Sequence, residues 1–309
     1  MSSSRNLSHL GAIGIALLVT VLWSSSWVLI RWGLDGEGLD PITFAALRYG
    51  LAAIVVVGWM VLREPQAARA IRRMDRSMIT RIVALGVLMY AMTQGAQFVA
   101  IDNQPAATTS LVLSLTPLLV AGLAVASLSE APARRQIAGA VLVVLGAWAY
   151  FAGDLGATVV GMTAALVGLG SGVAASLLGR HVNRARELSP VVVTALSMAI
   201  GAAILNAVGF LVEGAPSVSA KAWLIISWLA VVNTAFAFTL WNLSLQRLSA
   251  VESAGINNTM LIQIAILAWL FLDEAPGPTE LAGIALISIG VFLTQALKTG
   301  AASRAAQRP

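Results

Sequence analysis

A duplicated turn limits the folds open to this chain more than any other feature. Residues 130–146 read Glu130-Ala131-Pro132, then Ala138-Gly139, Leu142 and Gly146. Shifted by 144 positions, the pattern returns as Glu274-Ala275-Pro276, Ala282-Gly283, Leu286 and Gly290. Each copy closes one long apolar run, crosses a short turn and opens another. Gly139 and Gly146 lie about two helical turns apart, so they share one helix face, as do Gly283 and Gly290. Paired small residues on one face let a neighbouring backbone approach closely. A second match, Pro41…Ala46-Leu47 against Pro190…Ala195-Leu196, has an offset of 149. The offset falls to 144 because the loop following the earlier of these segments is the longer one. A repeat on this scale fixes the architecture before any single helix is assigned.

Composition says what medium the repeat folds in. The chain has 309 residues, 58% of them hydrophobic and only 11% charged, with a mean hydropathy of +0.85. A soluble domain keeps about 25% charged residues, so a soluble fold is excluded. A bilayer helix takes about 20 apolar residues, and ten such stretches with short connectors consume nearly the whole chain. The expected fold is an all-α integral membrane protein of ten transmembrane helices. The high pI, about 10.4, reflects basic residues acting as topology signals and not a nucleic-acid footprint. With no cysteine there is no disulfide framework and no thiol chemistry.

In order, the expected spans are about 11–32, 41–62, 80–101, 105–128 and 137–152, then 158–178, 190–212, 222–246, 250–272 and 279–297. They form two repeats, residues 11–152 and 158–297, between tails 1–10 and 298–309. The first run follows Arg5 like a secretory signal, but it continues past Trp23 and Trp27, and its loss would leave the first repeat a helix short. Asp40-Pro41 and Ser189-Pro190 each pair an N-cap with a proline at the first helical position. Pro117 should kink the fourth span. With the N-terminus cytoplasmic, Arg5, the basic stretch Arg63–Arg81, Arg134, Arg135, Arg180, Arg184, Arg186, Arg247, Lys298, Arg304 and Arg308 all fall inside. Only Arg31 and Lys221 fall outside, where Asp35, Glu37, Asp40, Asp102, Asp154, Glu213, Asp273, Glu274 and Glu280 collect. This bias places both termini in the cytoplasm of a multi-pass protein of the plasma or inner membrane. Five spans per repeat is an odd number, so the second copy enters the bilayer inverted, the plan of secondary transporters with a site near the midplane.

Candidate substrate-binding residues are the deep polar and aromatic ones. Trp23 and Trp27 share a face of the first span near mid-membrane, whereas Trp32, Trp59 and Trp223 lie near helix ends and read as interfacial anchors. For Trp23 and Trp27 the readings are cavity lining or plain packing. Arg48 is the one basic residue well inside a span, two turns from its outer end, and it either binds or pairs internally or snorkels outward. Tyr90 and Gln94 lie one turn apart on the third span; buried amides need partners, which a ligand or another helix can supply. Trp241 on the eighth span and Asn258 on the ninth, with Gln263 nearby, complete the set. Glu252 is a proton-coupling candidate, with helix-dipole compensation as the structural alternative. No metal cluster, nucleophile–base pair or phosphate loop is present, and both histidines, His9 and His181, lie outside the spans. No cofactor is expected, and an enzyme is not.

Leu22-Trp23-Ser24-Ser25-Ser26-Trp27, Pro41…Phe44…Arg48 and the two Glu-Ala-Pro…Gly…Gly turns together resemble the drug/metabolite transporter superfamily in its ten-helix EamA branch. The resemblance runs over about residues 11–297. It implies a secondary transporter that exports small neutral or zwitterionic metabolites by alternating access, with aromatic or other large neutral amino acids foremost. Export of other metabolites or drugs, or a channel or scaffold without carrier activity, is the alternative. The implied partners are a small-molecule substrate and the lipid bilayer, without nucleic acid, and the expected state is a monomer. Two departures stand out. Gly168-Leu169-Gly170-Ser171-Gly172 occupies the sixth span where the first has its Trp-Ser cluster, and Ser197 stands where repeat symmetry calls for an arginine matching Arg48. The first and sixth spans also lack a mid-membrane carboxylate, which argues against the proton exchange of the small multidrug relatives.

Overall fold

The computed structural model describes residues 8–116, 119, 120, 123, 134–151, 156–185, 187–214, 217–245, 248 and 250–295, and their regular structure is helical throughout. Helix α1 covers His9–Arg31 and continues as a π-helical segment, Trp32–Gly36. Then come α2 (Pro41–Arg63), α3 (Ala67–Arg72) and α4 (Arg76–Leu85), a π-helical segment Gly86–Met92, α5 (Thr93–Asn103) and α6 (Ala106–Ser114). The remaining elements are α7 (Arg134–Phe151), α8 (Val159–Ala185), α9 (Pro190–Val212), α10 (Ala220–Ala230), a π-helical segment Val231–Phe236, α11 (Ala237–Leu245), α12 (Ala250–Leu272) and α13 (Pro278–Gln295). Among the described residues five helical stretches are long and apolar enough to cross a bilayer: His9–Gly36, Pro41–Arg63, Arg76–Asn103, Val159–Gly179 and Pro190–Val212. Shorter apolar helices are Val141–Tyr150, Ala220–Phe236, Thr259–Leu272 and Pro278–Gly290. The first Glu-Ala-Pro turn and Pro117 lie outside the described residues.

The duplication reappears in the element boundaries. Shifting α7, Arg134–Phe151, by 144 gives the bounds of α13, Pro278–Gln295. The same shift carries the start of α4, Arg76, to that of α10, Ala220, and the start of α5, Thr93, to that of α11, Ala237. It also carries one N-cap to another: Asp75 accepts from Met78 N, and Ser219 accepts from Ala222 N. Both middle helices pass through a π-helical segment at the same place, Gly86–Met92 and Val231–Phe236. One element has no sequence forecast: the short helix α3 folds inside the basic stretch.

By packing, the chain forms two compact units, and each draws on both sequence halves. One comprises 1–28, 121–155 and 236–309; the other comprises 29–120 and 156–235. In the first, α7 and α13 run antiparallel in backbone contact through the repeated glycines. A Cβ at Gly146 would sit 2.8 Å from Ile287 N and 2.9 Å from Gly283 O. One at Gly290 would sit 2.6 Å from Gly139 O and 2.8 Å from Val143 N. The 144-residue shift exchanges these two contact sets, which is the signature of a two-fold relation between the helices. The glycines therefore do what their spacing predicts.

In the second unit α2 and α9, the helices opened by the two proline caps, are also antiparallel. Asn206 Nδ2 donates to Ala46 O at 3.1 Å, and Gly209 packs on Thr43. Met60, Met78, Ile82, Leu85, Val182, Val192 and Val193 form a buried apolar cluster around them. Ser189 caps α9 through Val192 N as expected, but Asp40 makes no side-chain cap on α2. Glu213 takes over that task, accepting from Ile42 N at 3.0 Å and Thr43 N at 2.6 Å. A carboxylate at a helix N-terminus meets orphan N–H donors and the positive end of the dipole together. In the same unit Glu37 accepts from Ser219 and pairs with Lys221 at 2.8 Å, contacts that hold its carboxyl below the usual glutamate range. Outward faces are apolar: Ile54, Leu62, Trp148, Val144, Leu211 and Trp269 are all exposed, as lipid-facing side chains are. Trp32, Trp59 and Trp223 are also exposed, in keeping with their reading as anchors.

Candidate functional site

Arg48 lies on the third turn of α2, about 10 Å along the helix from Pro41. It is only 5% exposed, so it does not snorkel. Its Nη2 donates to Thr234 Oγ1 at 3.4 Å, a long bond, and its guanidinium lies 5.2 Å from the Tyr49 ring centroid and 6.0 Å from that of Phe98. Thr234 is available as an acceptor because its own hydroxyl proton goes to Leu229 O at 2.9 Å. That five-residue reach back falls in the π-helical segment, where the carbonyl ladder is interrupted. Arg48 Nε is buried and has no hydrogen-bond partner among the described residues. Two cation–π contacts contribute about 0.5–2 kcal/mol each, and the second is at the distance limit. An uncompensated buried charge costs about 3–5 kcal/mol. The described groups around Arg48 therefore leave it under-compensated.

Tyr49, the next residue on α2, donates to Gln94 Oε1 on α5 at 2.5 Å, and its ring lies 5.9 Å from that of Tyr90. Tyr90 sits on the π-helical segment between α4 and α5, 7% exposed. Gly201 makes room for it, since a Cβ there would come 2.5 Å from Tyr90 Cβ. Buried Arg48 and Tyr90 and half-buried Gln94 are thus brought into one group of the second unit through Tyr49. The repeat relates its two edges: the offsets of 149 and 144 carry Arg48 to Ser197 and Tyr90 to Thr234. The pair Arg48–Thr234 therefore corresponds to the pair Ser197–Tyr90.

The other candidates lie in the first unit. Trp23 packs its ring on Phe238 at 5.2 Å and on Trp241 at 5.3 Å, both tilted. Trp241 also covers the buried cluster of Ala12, Ala16 and Leu248. One turn from Trp23 toward the chain start, Gln263 ties α12 to α1. Its Nε2 donates to Thr20 Oγ1 at 3.1 Å and Thr259 Oγ1 at 3.0 Å, and its Oε1 accepts from Ser24 at 3.0 Å. Both donors and the carbonyl of the Gln263 amide are engaged by protein groups, so it acts as a clasp between helices. Trp27 is buried, 7% exposed. Asn258 and Glu252 fall on α12, with their side chains outside the described residues. Among the described residues no group of three His, Cys, Asp or Glu could hold a metal ion.

Sequence reasoning missed Tyr49, Phe98, Thr234 and Phe238. The polar pair Asn233-Thr234 inside an otherwise apolar run was a readable signal for Thr234. Phe238, three residues before Trp241 on one helix face, was another.

Known proteins match about nine-tenths of this chain. A protein of Streptantibioticus cattleyicolor named "Probable terminal-alkyne amino-acid exporter" is 27% identical over 91% of this chain and 92% of its own length. Proteins named "Probable amino-acid metabolite efflux pump" from Salmonella typhimurium and Escherichia coli are 23% and 22% identical, each over 90% of this chain and 93% of their own. A crystal structure covering 97% of this chain and 100% of its own aligns with a TM-score of 0.65 at 18% identity, and shares the fold. The EamA-like transporter family matches residues 10–152 and again 162–295, once for each half of the duplication. The chain belongs to the EamA-like transporter family, within the drug/metabolite transporter superfamily.

Proposed function

We propose that this membrane transporter exports small zwitterionic metabolites, amino acids with large neutral side chains foremost, by alternating access of two inverted five-helix repeats. The observation that carries the reading is the group of buried Arg48, Tyr49 and Tyr90 with half-buried Gln94, polar and aromatic side chains set inside apolar helices. Polar groups at such depth are costly and mark a solute path. The antiparallel pairs α7–α13 and α2–α9 support the inverted plan of ten helices, with the repeats at 11–152 and 158–297, and the bias of basic residues supports placing both termini in the cytoplasm. The names of the relatives support amino-acid export.

Trp23, Trp27, Trp241 and Asn258 are the substrate-contacting candidates of the first unit, and Arg48, Tyr90 and Gln94 those of the second. Aromatic faces suit an ammonium, worth about 0.5–2 kcal/mol, and apolar walls accept a range of large neutral side chains. Glu252 is the candidate for weak proton coupling. A panel of amino acids in proteoliposomes tests the assignment. Tyr90→Ala and Trp23→Ala should lower initial rates at least about tenfold, as for a contact worth 1.4 kcal/mol or more, without lowering the yield of folded protein. Trp59→Ala, on an exposed face, should change neither. Wild-type rates for both inner variants across the panel would make these residues packing.

A further inference from the structure

Arg48 carries an inference beyond general amino-acid export, one that rests on that reading and deepens it. Its charge is not required by the fold. The repeat-equivalent slot holds Ser197, buried like Arg48, whose hydroxyl turns back on its own helix to Val193 O at 2.7 Å. The same packing position is thus filled once by a neutral group satisfied at home and once by a guanidinium. Among the described residues no carboxylate lies within ion-pair distance of Arg48; the recorded pairs are Arg31–Asp35 and Lys221–Glu37. Its Nε has no partner among those residues, and its bond to Thr234 is long at 3.4 Å. A guanidinium presents its donors as a planar fork that matches a carboxylate with two parallel bonds. The faces of Tyr49 and Phe98 lie against the cation and cannot supply the missing negative charge.

From this geometry we infer that Arg48 receives a single anionic group of the transported solute, its carboxylate, and so restricts transport to carboxylate-bearing solutes. Amino acids are carried; carboxamides and amines with the same side chain are not. The serine in the other repeat makes this recognition one-sided, so the solute enters with its acid end toward α2.

The test uses the full chain, purified and reconstituted, as wild type, Arg48→Met, Arg48→Gln and Arg48→Lys. Counterflow is measured with leucine and phenylalanine against leucinamide and phenylalaninamide, and detergent-solubilised protein is melted in a titration of sodium phenylalaninate or phenylalaninamide hydrochloride. Wild type should prefer the acid at least about tenfold and melt higher, saturably, with the acid alone. Arg48→Met and Arg48→Gln should lose both effects, while Arg48→Lys keeps part of the preference. Without ligand, Arg48→Met should melt no lower than wild type, because an under-compensated buried charge is replaced by an apolar chain of similar length. A clear fall in its melting temperature would show that Arg48 pairs internally and would overturn the inference. An acid preference unchanged in Arg48→Gln, or equal handling of acid and amide by wild type, would do the same. Absence of counterflow with acid-specific, Arg48-dependent stabilisation intact would sink amino-acid export and leave the anion site standing.

Discussion

Tyr49 shows how much of the buried polar group rests on single bonds. Its hydroxyl donates to Gln94 at 2.5 Å across the α2–α5 contact. Tyr49→Phe keeps the ring beside Arg48 and removes only that donor. It should lower stability by about 1 kcal/mol, the usual scale of an interhelical bond in a membrane protein, read as a small fall in melting temperature. A neutral result would mean that water or lipid replaces the bond. Arg48 was legible in the sequence as an isolated charge within a span, but its surroundings were not. Thr234 is 186 residues away, and no local pattern links the two. The cap of α2 teaches the same lesson: Asp40 had the right residue type at the right place, yet Glu213, from the far end of α9, reaches the free N–H groups. Local rules name the vacancy at a helix end; tertiary packing decides which side chain fills it.

At the scale of elements, the glycines of α7 and α13 make the sharpest forecast. A Cβ at Gly146 or Gly283 meets backbone atoms of the opposite helix at 2.7–2.9 Å, closer than a normal contact, and no rotamer change relieves that. Gly146→Ala and Gly283→Ala should each destabilise by about 1–3 kcal/mol through overpacking. Gly58, on α2, has nothing within 4 Å of the position a Cβ would take. Gly58→Ala should therefore be neutral or stabilising by up to about 1 kcal/mol, the helix-propensity gain. Thermal melts of the three variants check both signs, and a stabilising Gly146→Ala would refute the close crossing. This contact was readable beforehand because the helical period puts residues seven apart on one face. The π-helical segments at Gly86–Met92 and Val231–Phe236 were not, since one extra residue in a turn leaves no mark in an already apolar run. The short helix α3 was hidden for a different reason: a basic connector carries no apolar stripe from which to infer a helix.

For the molecule as a whole, duplication and charge bias were the legible facts, because both are written along the chain and need no contact to be seen. The expected topology puts both termini in the cytoplasm, and reporter fusions at residues 1 and 309 should both report the cytoplasmic side. Termini on opposite sides would break the inverted plan, and both on the outside would reverse the charge-based orientation. What no linear pattern showed is that the compact units cut across the two repeats, each taking helices from both halves. The central claim, that this member of the EamA-like transporter family is a carrier for amino acids, is tested most directly by counterflow. Liposomes holding the purified chain and preloaded with unlabelled leucine or phenylalanine are diluted into a trace of the labelled compound. A carrier predicts transient accumulation of label above equilibrium, saturating with internal substrate and absent from protein-free liposomes. Label that only equilibrates, without overshoot and without saturation for any amino acid on the panel, would contradict it.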